Sequence, residues 1–176
     1  MLSRTLLAIA LLGEALPSCG SIRAASRASA PPPQATCGVG TIVDGDTVHC
    51  RDGRKVRLIG VDSPEGRQGE PGALARRALG RLLPRNQPVR LEGDAAPRDR
   101  YGRLLAYVWT GSTLVNETMI RQGWAVLYTV PPNVKYADRF ARAQKEARAA
   151  NAGLWASGGF DCPPSEFRRG RCAIPP

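Results

Sequence analysis

Two aspartates flank one glycine in VDGDT, Val43 to Thr47, and Asp62, Ser63 and Glu65 follow in GVDSPE, Gly60 to Glu65. If the strand-like runs carrying these stretches pair, their ends bring Asp46, Asp62 and Glu65 together. Carboxylates so close repel and raise one another's pKa unless a cation sits between them. Oxygen donors without histidine or cysteine select a hard ion, and a flexible site that accepts water and a main-chain carbonyl suits calcium better than magnesium. Asp44 has a plainer reading, in which an aspartate in a tight turn satisfies backbone amides. Arginine supplies the complementary charge: Arg57 lies within a strand-like run and Arg103 closes DRYGR, Asp99 to Arg103. A guanidinium fork grips two oxygens of a phosphodiester and stabilises charge developing at phosphorus. A hard cation, a carboxylate base and two guanidiniums make a phosphoryl-transfer set. Taken singly, each arginine is more often a surface ion-pair partner. The single histidine, His49, adjoins Cys50 in a strand-like run, so mechanisms that need a histidine pair lack their parts and glutamate is the better base.

The elements that must hold these residues are short. Gly40 to Val48 and Lys55 to Val61 read as strands, with hairpin signals at Asp44-Gly45 and Asp52-Gly53. Pro88 to Leu91 and Leu104 to Trp109 read as two more. If the turn at Asp44-Gly45 splits the first run, five short strands result, which predicts a small barrel rather than a layered parallel sheet. Helical spacing recurs three times: Leu74, Ala78, Leu79, Leu82 and Leu83 before Pro84; Val115, Met119 and Ile120 before Gly123; and Tyr136, Phe140, Ala143 and Ala147. The fold class is therefore mainly β with helices, α+β. The last helix also carries Arg139, Arg142, Lys145 and Arg148, read first as a solvated basic face rather than a nucleic-acid contact.

A chain of 176 residues with 43% apolar and 23% charged side chains suits one domain with a filled core. Its net charge of +10 favours a polyanionic partner. Residues 1–30 read as an export signal: Arg4 precedes the apolar run Leu6 to Leu12, with Glu14 an unusual guest. Without them 22 basic and 14 acidic side chains remain, so the basicity belongs to the domain. Leu16 to Cys19 loosely resembles a lipobox, which would make Cys19 a lipid anchor, and a mitochondrial transit peptide is a further alternative. No other run approaches the roughly 18 apolar residues that span a bilayer. Residues 31–36 complete an Ala/Ser/Pro linker, and residues 156–176 form an irregular cysteine-containing tail. Cys37, Cys50, Cys162 and Cys172 remain after the signal, an even count that reads as two disulfides in an oxidising compartment. Three connectivities are open; Cys37 with Cys50 and Cys162 with Cys172 is the local choice. A four-cysteine zinc site is the rival, but no pair has zinc-knuckle spacing.

In order and spacing DGDT, VRLIGVDSPE, DRYGRLLAYVW, LVNETMIRQGWA and NAGLW, across about residues 40–155, resemble the staphylococcal nuclease (thermonuclease) family. The resemblance implies a five-stranded OB-fold barrel with three helices in a domain of about residues 37–155. It implies a calcium-dependent, sugar-nonspecific nuclease that hydrolyses DNA and RNA to 3′-phosphate ends. Carried over residue by residue, Asp46 and Asp62 are the calcium carboxylates, and the main-chain carbonyl of Ser63 is a further ligand. Glu65 is the general base on water, Arg57 and Arg103 act on the scissile phosphate, and Tyr101 stacks on base or sugar. Tyr128 falls in WAVLYTVPPN, which aligns loosely with a substrate-packing segment but is out of step and interrupted by prolines. The segment between Glu65 and the first helix is also shorter than in the staphylococcal enzyme. The implied protein is an exported monomer, periplasmic or secreted, that prefers accessible single strands without sequence-specific recognition. The alternative is a noncatalytic OB-fold module for nucleic-acid binding or scaffolding, which has no reason to keep a carboxylate cage and a base.

Overall fold

Residues that alternate between core and surface build a closed barrel in the computed structural model, which describes residues 35–172. The export signal, Cys19 and most of the linker lie outside the described residues. Strand β1 (Ala35–Ile42) turns Cys37 and Val39 inward, β2 (Thr47–Cys50) turns Val48 and Cys50 inward, and β3 (Lys55–Leu58) turns in Val56 and Leu58. Period two sends Arg57 to the opposite side of β3. After β4 (Gly60–Asp62) come β5 (Pro88–Glu92) and β6 (Leu104–Thr110). The order β3-β2-β1-β5-β6 is antiparallel between neighbours, and a parallel β3–β6 pair, with Arg57 opposite Leu105, closes the five strands into a barrel. Strand β7 (Thr113–Leu114) extends β6 as a short hairpin, and β8 (Val126–Tyr128) pairs with β4 outside the barrel.

Three helices cover it. Helix α1 (Glu70–Leu82) buries Ala75, Ala78 and Leu79, α2 (Val115–Arg121) buries Val115, Asn116, Glu117, Met119 and Ile120, and α3 (Ala137–Ala149) buries Phe140, Ala143 and Ala147. On α3 Arg142 and Lys145 are exposed, as a solvated face requires, while the other two basic residues have structural work. Arg139 pairs with Glu117 of α2, and the Arg148 guanidinium lies 4.7 Å from the Trp155 ring. A fourth, one-turn helix, α4 (Pro164–Arg168), stands in the tail expected to be irregular. No helix among the described residues is long and apolar enough to cross a membrane.

Two strand boundaries differ from expectation, both for tertiary reasons. Strand β1 begins at Ala35 rather than Gly40, because Ala35 to Gly38 pair with Leu91 to Pro88 of β5. That partner is invisible in local composition. The run Lys55 to Val61 breaks at Gly60, whose φ of 76° turns the chain from β3 into β4 and toward β8. A Cβ there would stand 2.7 Å from the Phe140 ring, so the kink also seats α3. Both local disulfides are present: Cys37–Cys50 ties β1 to β2, and Cys162–Cys172 closes the tail. Loops of this length are worth about 2 to 3 kcal/mol each.

Asn116, fully buried at the start of α2, joins helix to barrel. Its Oδ1 accepts the Val108 N–H (2.8 Å), and its Nδ2 donates to the carbonyls of Ile59 (2.9 Å) and Ala106 (3.2 Å). It thereby fixes the chain just before β4 and Asp62. Asn116→Leu leaves the Val108 N–H and the Ile59 carbonyl buried without partners, and should destabilise the fold by about 3 kcal/mol. Urea unfolding of the variant checks this; a loss below about 1 kcal/mol would contradict it.

Candidate active site

The β1–β2 turn, the β3–β4 kink and the stretch after β4 converge beside the barrel. The first carries Asp46, 6% exposed, and β4 ends on Asp62, 1% exposed, followed by Ser63 at 2%. Ser63 binds the two segments together: its N–H and its Oγ both donate to Asp46 Oδ2, at 2.9 and 3.1 Å. Thr47 Oγ1 donates to Asp46 Oδ1 at 2.9 Å. Arg57 reaches the same carboxylates, with Nε 3.1 Å from Asp46 Oδ1 and Nη2 3.3 Å from Asp62 Oδ1. Its Nη1 donates to the carbonyls of Leu58 (2.9 Å) and Val61 (2.6 Å), which locks the guanidinium over the kink. The sequence pointed to Arg57 as a phosphate ligand; its first partners here are the two aspartates and the backbone.

Asp44 behaves as a turn residue, accepting the Asp46 N–H at 3.0 Å. Burial, reinforced by the Asp46 carboxylate, pushes its carboxyl up to about 7. Burial also raises Asp62, against the pull of hydrogen bonds from Arg168 and the charge of Arg57. Bringing in a cation lowers the cost of burying such carboxylates.

Glu65 follows at the mouth of the site, half-buried. Its N–H donates to Gln68 Oε1 (2.8 Å) in a short 3₁₀ turn, Gly66–Gln68. Gly72 of α1 packs directly on its backbone: a Cβ at position 72 would stand 2.1 Å from the Glu65 carbonyl oxygen. Gly72→Ala should therefore push the Glu65 segment away, costing about 1 to 3 kcal/mol by overpacking. Cleavage assays beside thermal unfolding would check it, and an unchanged melting temperature would show that the segment yields freely.

The other arginine stands on a separate turn. Asp99 Oδ1 accepts the N–H groups of Tyr101 (2.9 Å) and Arg103 (3.0 Å), and Asp99 Oδ2 takes Arg103 Nε (2.7 Å). Among the described residues the terminal nitrogens of Arg103 have no acceptor. Tyr101 is 68% exposed, with the Arg100 and Arg103 guanidiniums 4.9 and 5.4 Å from its ring. Asn133 clasps Ala96 through two hydrogen bonds, 2.7 and 2.9 Å, joining this region to the Pro131-Pro132 segment.

One cleft of about 800 Å³ is lined by Asp46, Arg57, Glu65, Tyr101, Arg103 and Tyr128. Asp62 and Ser63 lie buried behind Asp46 and Arg57. All eight residues named from the sequence thus fall in or directly behind a single cleft. Arg98, Arg100 and Arg168 line it too, so five guanidiniums stand beside the carboxylates of Asp44, Asp46, Glu65 and Asp99, and Arg57, Arg103 and Arg168 are each paired with a carboxylate at or behind the wall. The donor set fits a hard cation, since the buried carboxylates of Asp46 and Asp62 converge through Ser63 and Arg57 and all are oxygen ligands. Among the described residues no three acidic, histidine or cysteine side chains form a ready-made cluster, so main-chain oxygen or water would complete the shell.

Residues 55–157 match the family described as staphylococcal nuclease homologue. The chain belongs to this family. It is 40% identical to a thermonuclease of Staphylococcus intermedius over 121 residues, 65% of this chain and 72% of the relative. It is likewise 40% identical to a thermonuclease of Staphylococcus hyicus over 124 residues, 66% and 73% of the two. To endonuclease YncB of Bacillus subtilis it is 35% identical over 127 residues, 67% and 60%. The closed five-stranded barrel with flanking helices is the family's architecture. Arg98, Arg100 and Arg168 at the cleft escaped the sequence reading, and Arg168 comes from α4, which lies beyond the matched segment. Nothing in its local sequence separates it from Arg169 and Arg171, which pair instead with Glu166.

Proposed function

We propose that this protein is a calcium-dependent nuclease that hydrolyses phosphodiester bonds of DNA and RNA and leaves 3′-phosphate ends. The observation that carries the reading is the meeting of Asp46, Arg57, Asp62 and Glu65 at one cleft edge, with Arg103 and Tyr101 lining the same space. Kinship with thermonucleases and endonucleases supports the reaction class. Asp46 and Asp62, with the Ser63 main-chain carbonyl, would hold the calcium ion, which when bound supplies positive charge beside a phosphate oxygen. Glu65 accepts the proton of the attacking water. Arg57 and Arg103 donate to the phosphate as charge builds on its oxygens, and departure of the 5′ oxygen leaves the 3′-phosphate. Tyr101 and Tyr128, both exposed at the cleft, offer rings on which a base or sugar can stack. Backbone-directed binding of this kind reads accessibility rather than sequence. Two disulfides support an exported, oxidised protein.

The test is digestion of single-stranded DNA by the oxidised protein with calcium, with magnesium and with EGTA. Cleavage should require calcium, stop with EGTA and yield 3′-phosphate termini. Tight binding without cleavage under all three conditions would make the protein a noncatalytic OB-fold module instead.

A further inference from the structure

Two of the three carboxylates with roles in this reading, Asp62 and Glu65, are already held by one guanidinium. Arg168 Nη1 stands 3.0 Å from Asp62 Oδ1 and 2.9 Å from Glu65 Oε1, and Nη2 stands 2.8 Å from Asp62 Oδ2. The fork covers both oxygens of Asp62, whose side chain is 1% exposed, while Arg168 itself is 37% exposed and reaches in from outside. Asp62 Oδ1 also accepts from Arg57. A hard cation draws on the same carboxylate oxygens that the fork occupies, and like charge at contact distance disfavours holding both at once.

The segment that delivers Arg168 is anchored at several points. Phe160, 7% exposed, packs on Trp155 with ring centroids 4.5 Å apart. Gln68 Nε2 donates to the Cys162 carbonyl (3.0 Å) while Gln68 Oε1 accepts the Glu65 N–H, so one side chain couples the tail to the segment bearing Glu65. The Cys162–Cys172 disulfide closes the loop that contains Arg168. Confinement of this kind raises the local concentration of the guanidinium at the carboxylates.

Resting on the nuclease reading above, we propose that Arg168 is an intrachain competitor for the divalent cation, a residue that sets the metal affinity by occupying Asp62 and Glu65 until the ion displaces it. Cation binding and release of the Arg168 contact are then one coupled equilibrium. By linkage, the contact weakens the metal by the same factor by which the metal weakens the contact, so loosening the contact tightens the metal. The disulfide holds the competitor in place.

The test is calorimetric titration of the full-length oxidised protein with calcium chloride alone, no nucleic acid present, beside the DNA digestion described above. Arg168→Gln should bind calcium at least about tenfold more tightly, because an interaction of charged hydrogen-bond strength no longer has to be broken. Arg168→Lys, which keeps the charge but loses the fork, should fall between the two. The double variant Cys162→Ser/Cys172→Ser should shift in the same direction as Arg168→Gln by a smaller factor. Equal or weaker calcium affinity in Arg168→Gln, with cleavage still calcium-dependent, would overturn the competition and leave the nuclease reading standing. Slower cleavage in Arg168→Gln at unchanged calcium affinity would overturn it too, and make Arg168 a third guanidinium on the phosphate. Failure of wild type and Arg168→Gln alike to bind calcium, with cleavage persisting in EGTA, would bring down the calcium site and the competition together.

Discussion

Glu65→Gln is expected to slow cleavage of single-stranded DNA by about two to four decades, the usual worth of a positioned proton acceptor. The amide matches the carboxylate in size and keeps an oxygen for Arg168, so the substitution removes basicity with little else. The Glu65 backbone is held independently of its side chain, by the Gln68 hydrogen bond and by the close approach of Gly72. Folding should therefore change little while turnover collapses. Single-turnover rates at saturating calcium, set beside urea unfolding, separate the two. Retained turnover would show that another group takes the proton.

Arg57→Ala should cost about two to three decades in rate, the loss seen when one donor to a developing oxyanion is removed. Here the structure adds a second consequence. Arg57 is only 13% exposed and bridges Asp46 and Asp62 as a counter-charge to both. Removing one partner of a buried ion pair typically destabilises by about 3 kcal/mol or more. The variant should therefore be both slow and less stable, unlike Glu65→Gln. Arg57→Lys separates charge from shape: it keeps a cation near the aspartates but cannot reach the Leu58 and Val61 carbonyls while also facing Asp62. Unimpaired turnover in Arg57→Ala would remove Arg57 from the catalytic set.

The convergence of Asp46, Arg57, Asp62 and Glu65 was legible because it depends on strand period and hairpin register. Thr47 pairs with Arg57 across β2 and β3, so the end of one strand and the side of the next must meet wherever the hairpin forms. Three helices were legible for a similar reason: Phe140, Ala143 and Ala147 recur at the spacing of one helical face and are all buried. Strand ends were less so. Ala35 to Gly38 have no strong β preference and become strand only because β5 lies alongside. Val126–Tyr128 becomes strand only because the kink at Gly60 turns β4 toward it.

By itself, the sequence determined the chemistry on offer and the local geometry that carries it: an all-oxygen carboxylate set, one guanidinium on a strand and one closing a turn, a small barrel and four cysteines whose local pairing was one of three open connectivities. These follow from side-chain type, periodicity and short loops, interactions between residues near one another in the chain. Only the tertiary structure decided what else reaches the site. Arg168 lies 106 residues from Asp62, and no periodicity or motif distinguishes it from the arginines beside it. Its place depends on how Phe160 packs against Trp155, how Gln68 reaches the Cys162 carbonyl and how a disulfide closes the tail. Long-range contacts of that kind are settled by the packing of the whole chain, which local sequence does not encode.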